Sequence, residues 1–203
     1  LVLLNFGLLR RYKGASRLLQ VFEQWPDDRA VLIIGGAPHD PVLDLELREA
    51  ASRDARVRLI DHYIDASAAV ELFAAANVVV LPYLDVLNSG TAMLALSLGR
   101  AVVAPSKGAF PELQAEIGTT WIRTFDEPFD LDSLTRACQE PALPPEDLRC
   151  DLGAFEWPAV AKTTANAYRF FLSAPTIRRA TRAVQRRMTR SGADGTSARG
   201  TPQ

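Results

Sequence analysis

Six short apolar runs punctuate the chain: LVLLNF (1–6), AVLIIG (30–35), VRLI (57–60), VVVLPY (78–83), AVVAP (101–105) and TWIRTF (120–125). Each is rich in β-branched or large aliphatic residues and lacks a strict apolar–polar alternation. Strands buried on both faces of a parallel sheet read this way. Helical periodicity fills the intervals. Residues 15–25 set Leu18, Leu19, Phe22 and Trp25 on one stripe. Asp40 and Pro41 offer an N-cap and a first-turn proline for a helix to about Ser52. Asp65 is placed to cap the helix ASAAVELFAAA. The helix TAMLALSL (91–98) is apolar nearly all round, which predicts burial, and Gly99 stands where a C-terminal cap belongs. Regular alternation of strand and helix predicts an α/β fold, a Rossmann-like doubly wound parallel sheet.

Composition changes this picture little, and charge changes it more. The chain has 203 residues, 48% hydrophobic and 23% charged, as expected for one large globular domain. No apolar run reaches the roughly 20 residues that span a bilayer. Leu1 already lies inside a strand-like run, so the chain reads as a piece of something longer. The net charge of −1 hides an asymmetry. Residues 175–203 hold seven Arg against one acid, Asp194, so residues 1–174 carry −7. An acidic domain over residues 1–172 with a basic, partly disordered tail over 173–203 is the expected organisation. Cys138 and Cys150 have no second pair beside them and read as free thiols of a reducing compartment.

Candidate chemistry centres on FGLLRRYKG (6–14). A greasy strand breaks at Gly7, then Arg10, Arg11 and Lys13 crowd the turn before Gly14 and a helix. In open α/β sheets ligands bind beyond the C-terminal ends of the strands, where this turn lies. The helix that follows has no acid in its first turn, which favours an anion there. A second helix start, NSGT, follows another strand. Asn88 or Ser89 can cap it, Gly90 lets a ligand approach the backbone, and Thr91 adds a hydroxyl. Together these features suit a diphosphate. Solvated surface charge explains Arg10 and Arg11 equally well on the residues alone.

The order FGLLRRYKG, LIIGG, LFAAANVVVLPY, NSGTAMLALSLGRAVVAP, GAFPEL and FEWPAVAKTTANAYRFFL resembles the C-terminal half of family 4 glycosyltransferases of the GT-B type, from residue 1 to about 172. The resemblance implies the nucleotide-sugar half of a two-domain enzyme whose acceptor-binding N-terminal half is absent from this chain. It implies transfer of a sugar, with retention at the anomeric carbon, from a UDP- or GDP-linked donor to a glycan, lipid or small-molecule acceptor. Lys13 matches the lysine that binds the donor diphosphate. The usual arginine position is Leu8 here, so Arg10 is the substitute, ahead of Arg11. Gly7, Gly14, Asn88, Ser89, Gly90 and Thr91 fall in the donor-binding motifs. Tyr63 and Ile64 follow the third strand, where the base is held, although simple packing explains them as well. The family's two glutamates fall on Val86 and Leu94, so both carboxylates are lost. Asp85, one place away, either compensates or is a solvated loop carboxylate.

Other classes fare worse. A degenerate, non-catalytic nucleotide-sugar-binding or scaffold module is the alternative, favoured by the lost glutamates and opposed by Lys13, Gly14 and NSG. A sugar-nucleotide epimerase would need acids and histidines that are not found. His39 and His62 lie on different loops and suggest no metal, and no cofactor beyond the donor substrate is expected. Nucleic-acid binding is not expected from an acidic core without stacking aromatics among its arginines. The resemblance fits a cytoplasmic protein, and the tail arginines suit a peripheral contact with the anionic inner face of a membrane.

Overall fold

The computed structural model describes residues 1–139, 144–145 and 148–173. The predicted basic, partly disordered tail lies outside them beyond residue 173. The chain divides into two compact units, Leu1–Leu152 and Gly153–Gln203.

The first unit is a six-stranded, wholly parallel sheet. Its strands are β1 (Val2–Phe6), β2 (Val31–Gly35), β3 (Val57–Ile60), β4 (Val78–Val80), β5 (Ala101–Pro105) and β6 (Ile122–Phe125), in the order β3-β2-β1-β4-β5-β6. Among the described residues six helices pack on it: α1 (Ala15–Phe22), α2 (Pro41–Arg53), α3 (Ala66–Ala75), α4 (Gly90–Ser97), α5 (Phe110–Ile117) and α6 (Leu131–Gln139). Successive strand residues face opposite sides. Leu3, Val78, Val80 and Val103 join the core beneath α1, α2 and α6, whereas Leu4, Val79, Val102 and Ala104 join the core beneath α3, α4 and α5. Burial on both faces explains why the strands read as continuous apolar runs. The predicted stripe holds, since Leu18, Leu19, Phe22 and Trp25 are all buried.

Local signals place the helix starts. Asp40 accepts a hydrogen bond from the Leu43 amide at 2.8 Å, Asp65 from Ala68 at 2.9 Å and Ser89 from Ala92 at 3.2 Å. Each such cap contributes about 1 kcal/mol. Two expectations need adjustment. The run 78–83 is strand only to Val80, because Pro82 has no amide to give a neighbour and the Tyr83 amide turns back to Leu81 O at 2.8 Å. The apolar helix α4 is buried only through Ala92, Ala95 and Leu96, and Leu94 remains exposed.

The strand order runs 3-2-1 to one side and 4-5-6 to the other, so the topological switch point lies between β1 and β4. The two strands pair only as far as Leu4 and Val79. Buried Asn5 bridges the gap beyond, its side-chain amide donating to Val80 O at 2.8 Å. A crevice at the C-terminal ends of strands that part in this way is where such sheets take ligands.

In the second unit, a 3-10 turn (Gly153–Phe155) leads into α7 (Trp157–Ser173). No residue of α7 is buried. Among the described residues, no helix is long and apolar enough to cross a membrane.

Candidate functional site

Glycine geometry brings two loops together over the switch point. Gly7 ends β1 with φ +112°, and its amide donates to Gly35 O at 2.9 Å. The cationic turn then folds into a 3-10 helix, Arg11–Lys13, closed by Gly14 at φ +74°. A Cβ at Gly14 would stand 2.0 Å from Pro82 O, an approach that only glycine permits. The Leu84 amide donates to Tyr12 O at 2.7 Å. The turn after β1 is thereby fastened to the loop after β4. On the far side, a Cβ at Gly108 would meet Val86 O at 2.4 Å, and the Ala109 amide donates to Leu87 O at 2.8 Å. The loop 84–88 is held from both ends.

Between the turn and this loop lies a cleft of about 560 Å³, lined by Tyr12 and Lys13 on one side and by Tyr83 and residues 85–91 on the other. Lys13 is half-buried. Burial, and secondarily the charge of Arg10, push its ammonium pKa below the ordinary lysine value. A Cβ at Gly7 would stand 3.2 Å from both Lys13 Nζ and Thr91 Oγ1. The ammonium and the hydroxyl thus converge on the bare Cα of Gly7. Alongside them, α4 begins. Ser89 Oγ satisfies the amide of Ala92, and the Met93 amide reaches Ser89 O. The amides of Gly90 and Thr91 come first in the helix and have no carbonyl behind them within it. A lysine, a threonine hydroxyl and a helix N-terminus with no acid in its first turn make a seat suited to an anion.

Tyr83 closes the back of the cleft and is 3% exposed. Its hydroxyl lies 3.2 Å from Ser89 Oγ. Its ring lies 6.0 Å from Lys13 Nζ and packs against Tyr12 and Phe110, each 6.4 Å away between centroids. Burial pushes its phenol pKa up, partly offset by the hydroxyls of Ser89 and Thr91.

The fold brings Lys13, Gly7, Asn88, Ser89, Gly90 and Thr91 together, with Gly14 as the hinge of the turn. It sets other candidates apart. Arg10 is exposed, caps the 3-10 turn in an extended conformation and does not line the cleft. Tyr63 is exposed, and Ile64 packs over Gly35, both on the loop after β3 outside the lining. Helix α1 adds nothing to the lining. Its Arg17 instead holds Glu127 at 2.8 and 3.1 Å and lies 4.8 Å from the centre of the Phe129 ring. Arg11 is exposed and does not line the cleft. It pairs with Glu46 at 3.1 Å and Asp40 at 3.6 Å, tying the turn to α2. Asp85 is exposed on the rim and Val86 is half-buried. Sequence reasoning missed Tyr83. The only signal was a tyrosine just past a proline at the end of a strand.

Comparison with known proteins speaks to the family and the fold. The family described as "Glycosyl transferases group 1" matches residues 1–140. The chain is 34% identical over 166 residues to a GDP-mannose:glycolipid 4-beta-D-mannosyltransferase of Xanthomonas campestris pv. campestris. That alignment covers 82% of this chain and 48% of the relative, so the chain spans about half the relative's length. Among solved structures, the catalytic domain of Starch Synthase IV from Arabidopsis thaliana, bound to ADP and acarbose, has a TM-score of 0.63 at 16% identity, over 85% of this chain and 38% of that one. Sucrose-phosphate synthase from Thermosynechococcus elongatus has a TM-score of 0.60 at 23% identity, over 85% and 45%. Anabaena HepE, in complex with UDP-glucose, has a TM-score of 0.54 at 22% identity, over 68% and 39%. At these identities the structures speak for the fold, that of GT-B glycosyltransferases. The sequence match speaks for the family, and this chain belongs to the group 1 glycosyl transferases.

Proposed function

We propose that this chain is the donor-binding half of a glycosyltransferase that moves a sugar from a UDP- or GDP-linked donor to a glycan, lipid or small-molecule acceptor, the acceptor being held by an N-terminal half outside this chain. The observation that carries the reading is the convergence of Lys13 Nζ and Thr91 Oγ1 on Gly7 beside the start of α4. When the bond from sugar to phosphate breaks, negative charge develops on the departing diphosphate. Charge stabilisation placed in advance is the largest contribution many enzymes make to a barrier. Lys13 supplies a full positive charge, the α4 N-terminus supplies a partial one, and Ser89 and Thr91 supply hydroxyl donors. Arg10, whose charge acts on Lys13, reinforces the field from outside the lining. Tyr63 and Ile64 are the proposed contacts to the base, because they follow β3, two strands from the cleft.

The Xanthomonas relative is named for a GDP-mannose donor and a glycolipid acceptor. That makes GDP the first nucleotide to test and a lipid-borne acceptor the first class to try. The same name specifies a β-linked product, whereas the family resemblance implies retention. Assigning the anomeric configuration of the product made by the full-length enzyme separates the two. Binding is tested by calorimetric titration of the 203-residue chain with GDP, UDP and their nucleosides. A diphosphate that binds at least tenfold tighter than its nucleoside supports the reading, since the features described aim at phosphate. Equal affinity for both sinks it.

A second reading, a module that binds the donor without turning it over, is favoured by the apolar residues Val86 and Leu94 at positions where the family carries carboxylates. Both readings share binding and part on turnover of the full-length protein. The arginine-rich segment 175–203, outside the described residues, is proposed to hold the protein at an anionic surface. Vesicle binding should fall at high salt and disappear on its removal.

A further inference from the structure

Tyr83 lines the back of the cleft, almost wholly buried, and touches both halves of the anion seat. Its ring lies behind Lys13, 6.0 Å from the ammonium. Its hydroxyl meets Ser89 Oγ at 3.2 Å. Tyr12 and Phe110 pack against the ring and fix its orientation. Ser89 Oγ already accepts the amide of Ala92. If the phenol also donates to that oxygen, the serine's own proton has no use at the cap and turns outward into the cleft. A buried chain of hydroxyls polarises in this way, each donor strengthening the next.

We propose that Tyr83 is a positioning residue for the diphosphate: by donating to Ser89 it directs the serine hydroxyl at the anion, while its ring backs Lys13. This rests on the donor-binding reading above and deepens it. The tyrosine's effect passes chiefly through Ser89, the hydroxyl it meets at 3.2 Å, so it must largely vanish when Ser89 is gone. It must also be confined to phosphate, because no base contact is involved.

The test is a double-mutant cycle on the 203-residue chain with Tyr83→Phe, Ser89→Ala and the pair, titrated with GDP, UDP and the two nucleosides. Tyr83→Phe keeps the ring against Lys13, Tyr12 and Phe110 and removes only the hydroxyl. It should weaken diphosphate binding roughly 3- to 10-fold, the worth of one net hydrogen bond, and leave nucleoside binding unchanged. In the Ser89→Ala background the same change should have less than a twofold effect, by the logic of coupled sites. A purely structural role would lower diphosphate and nucleoside affinity alike, and would act equally in both backgrounds. Either outcome overturns the proposal, as does an unchanged diphosphate affinity in Tyr83→Phe. Should Tyr83→Phe fold poorly, Phe110→Leu serves as a packing control, and a matching loss of diphosphate affinity there likewise overturns it. If the unaltered chain binds neither diphosphate, the donor-binding reading falls first and this one with it. If the unaltered chain binds and the variants behave additively, only this one falls.

Discussion

Replacing Gly7 by alanine introduces one methyl group at the point where the candidate site converges. Two effects follow, and they can be measured separately. The first is backbone strain. Gly7 has φ +112°, a region that residues with a Cβ avoid. Holding alanine there costs about 2 kcal/mol. For a chain of this size that lowers Tm by roughly 4–8 °C. The second is displacement. The new Cβ would stand 3.2 Å from both Lys13 Nζ and Thr91 Oγ1, closer than such contacts normally settle. Lys13 ends a flexible side chain, so it yields by swinging away. The clash is relieved, and the ammonium leaves its place. If Lys13 bonds the diphosphate, the loss is about 1.5–3 kcal/mol, the range for a hydrogen bond to a charged group, which is roughly 10- to 150-fold in Kd. Thermal melts read the first effect and calorimetric titration with GDP or UDP reads the second. The nucleoside serves as control and should bind the variant as it binds the parent. A lower Tm with unchanged diphosphate affinity would refute the reasoning, since the methyl group would then sit in a place no phosphate uses.

Three other outcomes are expected. Lys13→Ala should cost about 1.5–3 kcal/mol of diphosphate binding, whereas Arg11→Ala should cost little, because Arg11 is committed to Glu46 and Asp40; titrations showing Arg11→Ala as the worse change would reverse the assignment within the turn. Burial holds the Lys13 pKa below its usual 10.5, so diphosphate affinity should begin to fall on the alkaline side before that pH as the ammonium is lost, and Lys13→Arg should flatten the profile measured from pH 7 to 10. The Arg17 guanidinium, through its hydrogen bond above all, holds the Glu127 carboxyl below its usual 4.5; a depressed carboxylate stabilises the fold above its unfolded pKa and loses that contribution as pH falls through the folded one. Arg17→Met should therefore cost about 0.5–1 kcal/mol near neutrality, and its Tm deficit should shrink below pH 4.5; a deficit constant down to pH 3 would assign Arg17 to packing on Phe129 instead.

Much of the fold was legible because its signals are local. A strand buried on both faces has to be apolar throughout, and caps such as Asp40 and Asp65 act within one turn of their own positions. Helices α5 and α6 were harder to read. Helix α5 is a short amphipathic segment with no side-chain cap at Ala109 to announce it, and α6 is another, following β6 rather than lying between strands. At the site, the cationic turn and NSGT were each visible, and so was their common address at the C-terminal ends of strands. Their meeting was not. It depends on Gly14 seating against Pro82 O, nearly 70 residues away in sequence, and on the parting of β1 and β4 beyond Leu4. The same limit hid Tyr83, whose partners come from three different loops, and the capture of Arg11 by α2. A charge shows in the sequence, but its partner across the fold does not.

The most direct measurement of the central claim is a crystal structure of the chain with GDP or UDP bound. The account predicts the diphosphate oxygens in the cleft between the turn and α4, within hydrogen-bonding distance of Lys13 Nζ and of the Gly90 and Thr91 amides. A diphosphate held elsewhere, for instance in the polar groove along β6 formed by Gln114, Thr124, Ser133 and Arg136, would contradict it.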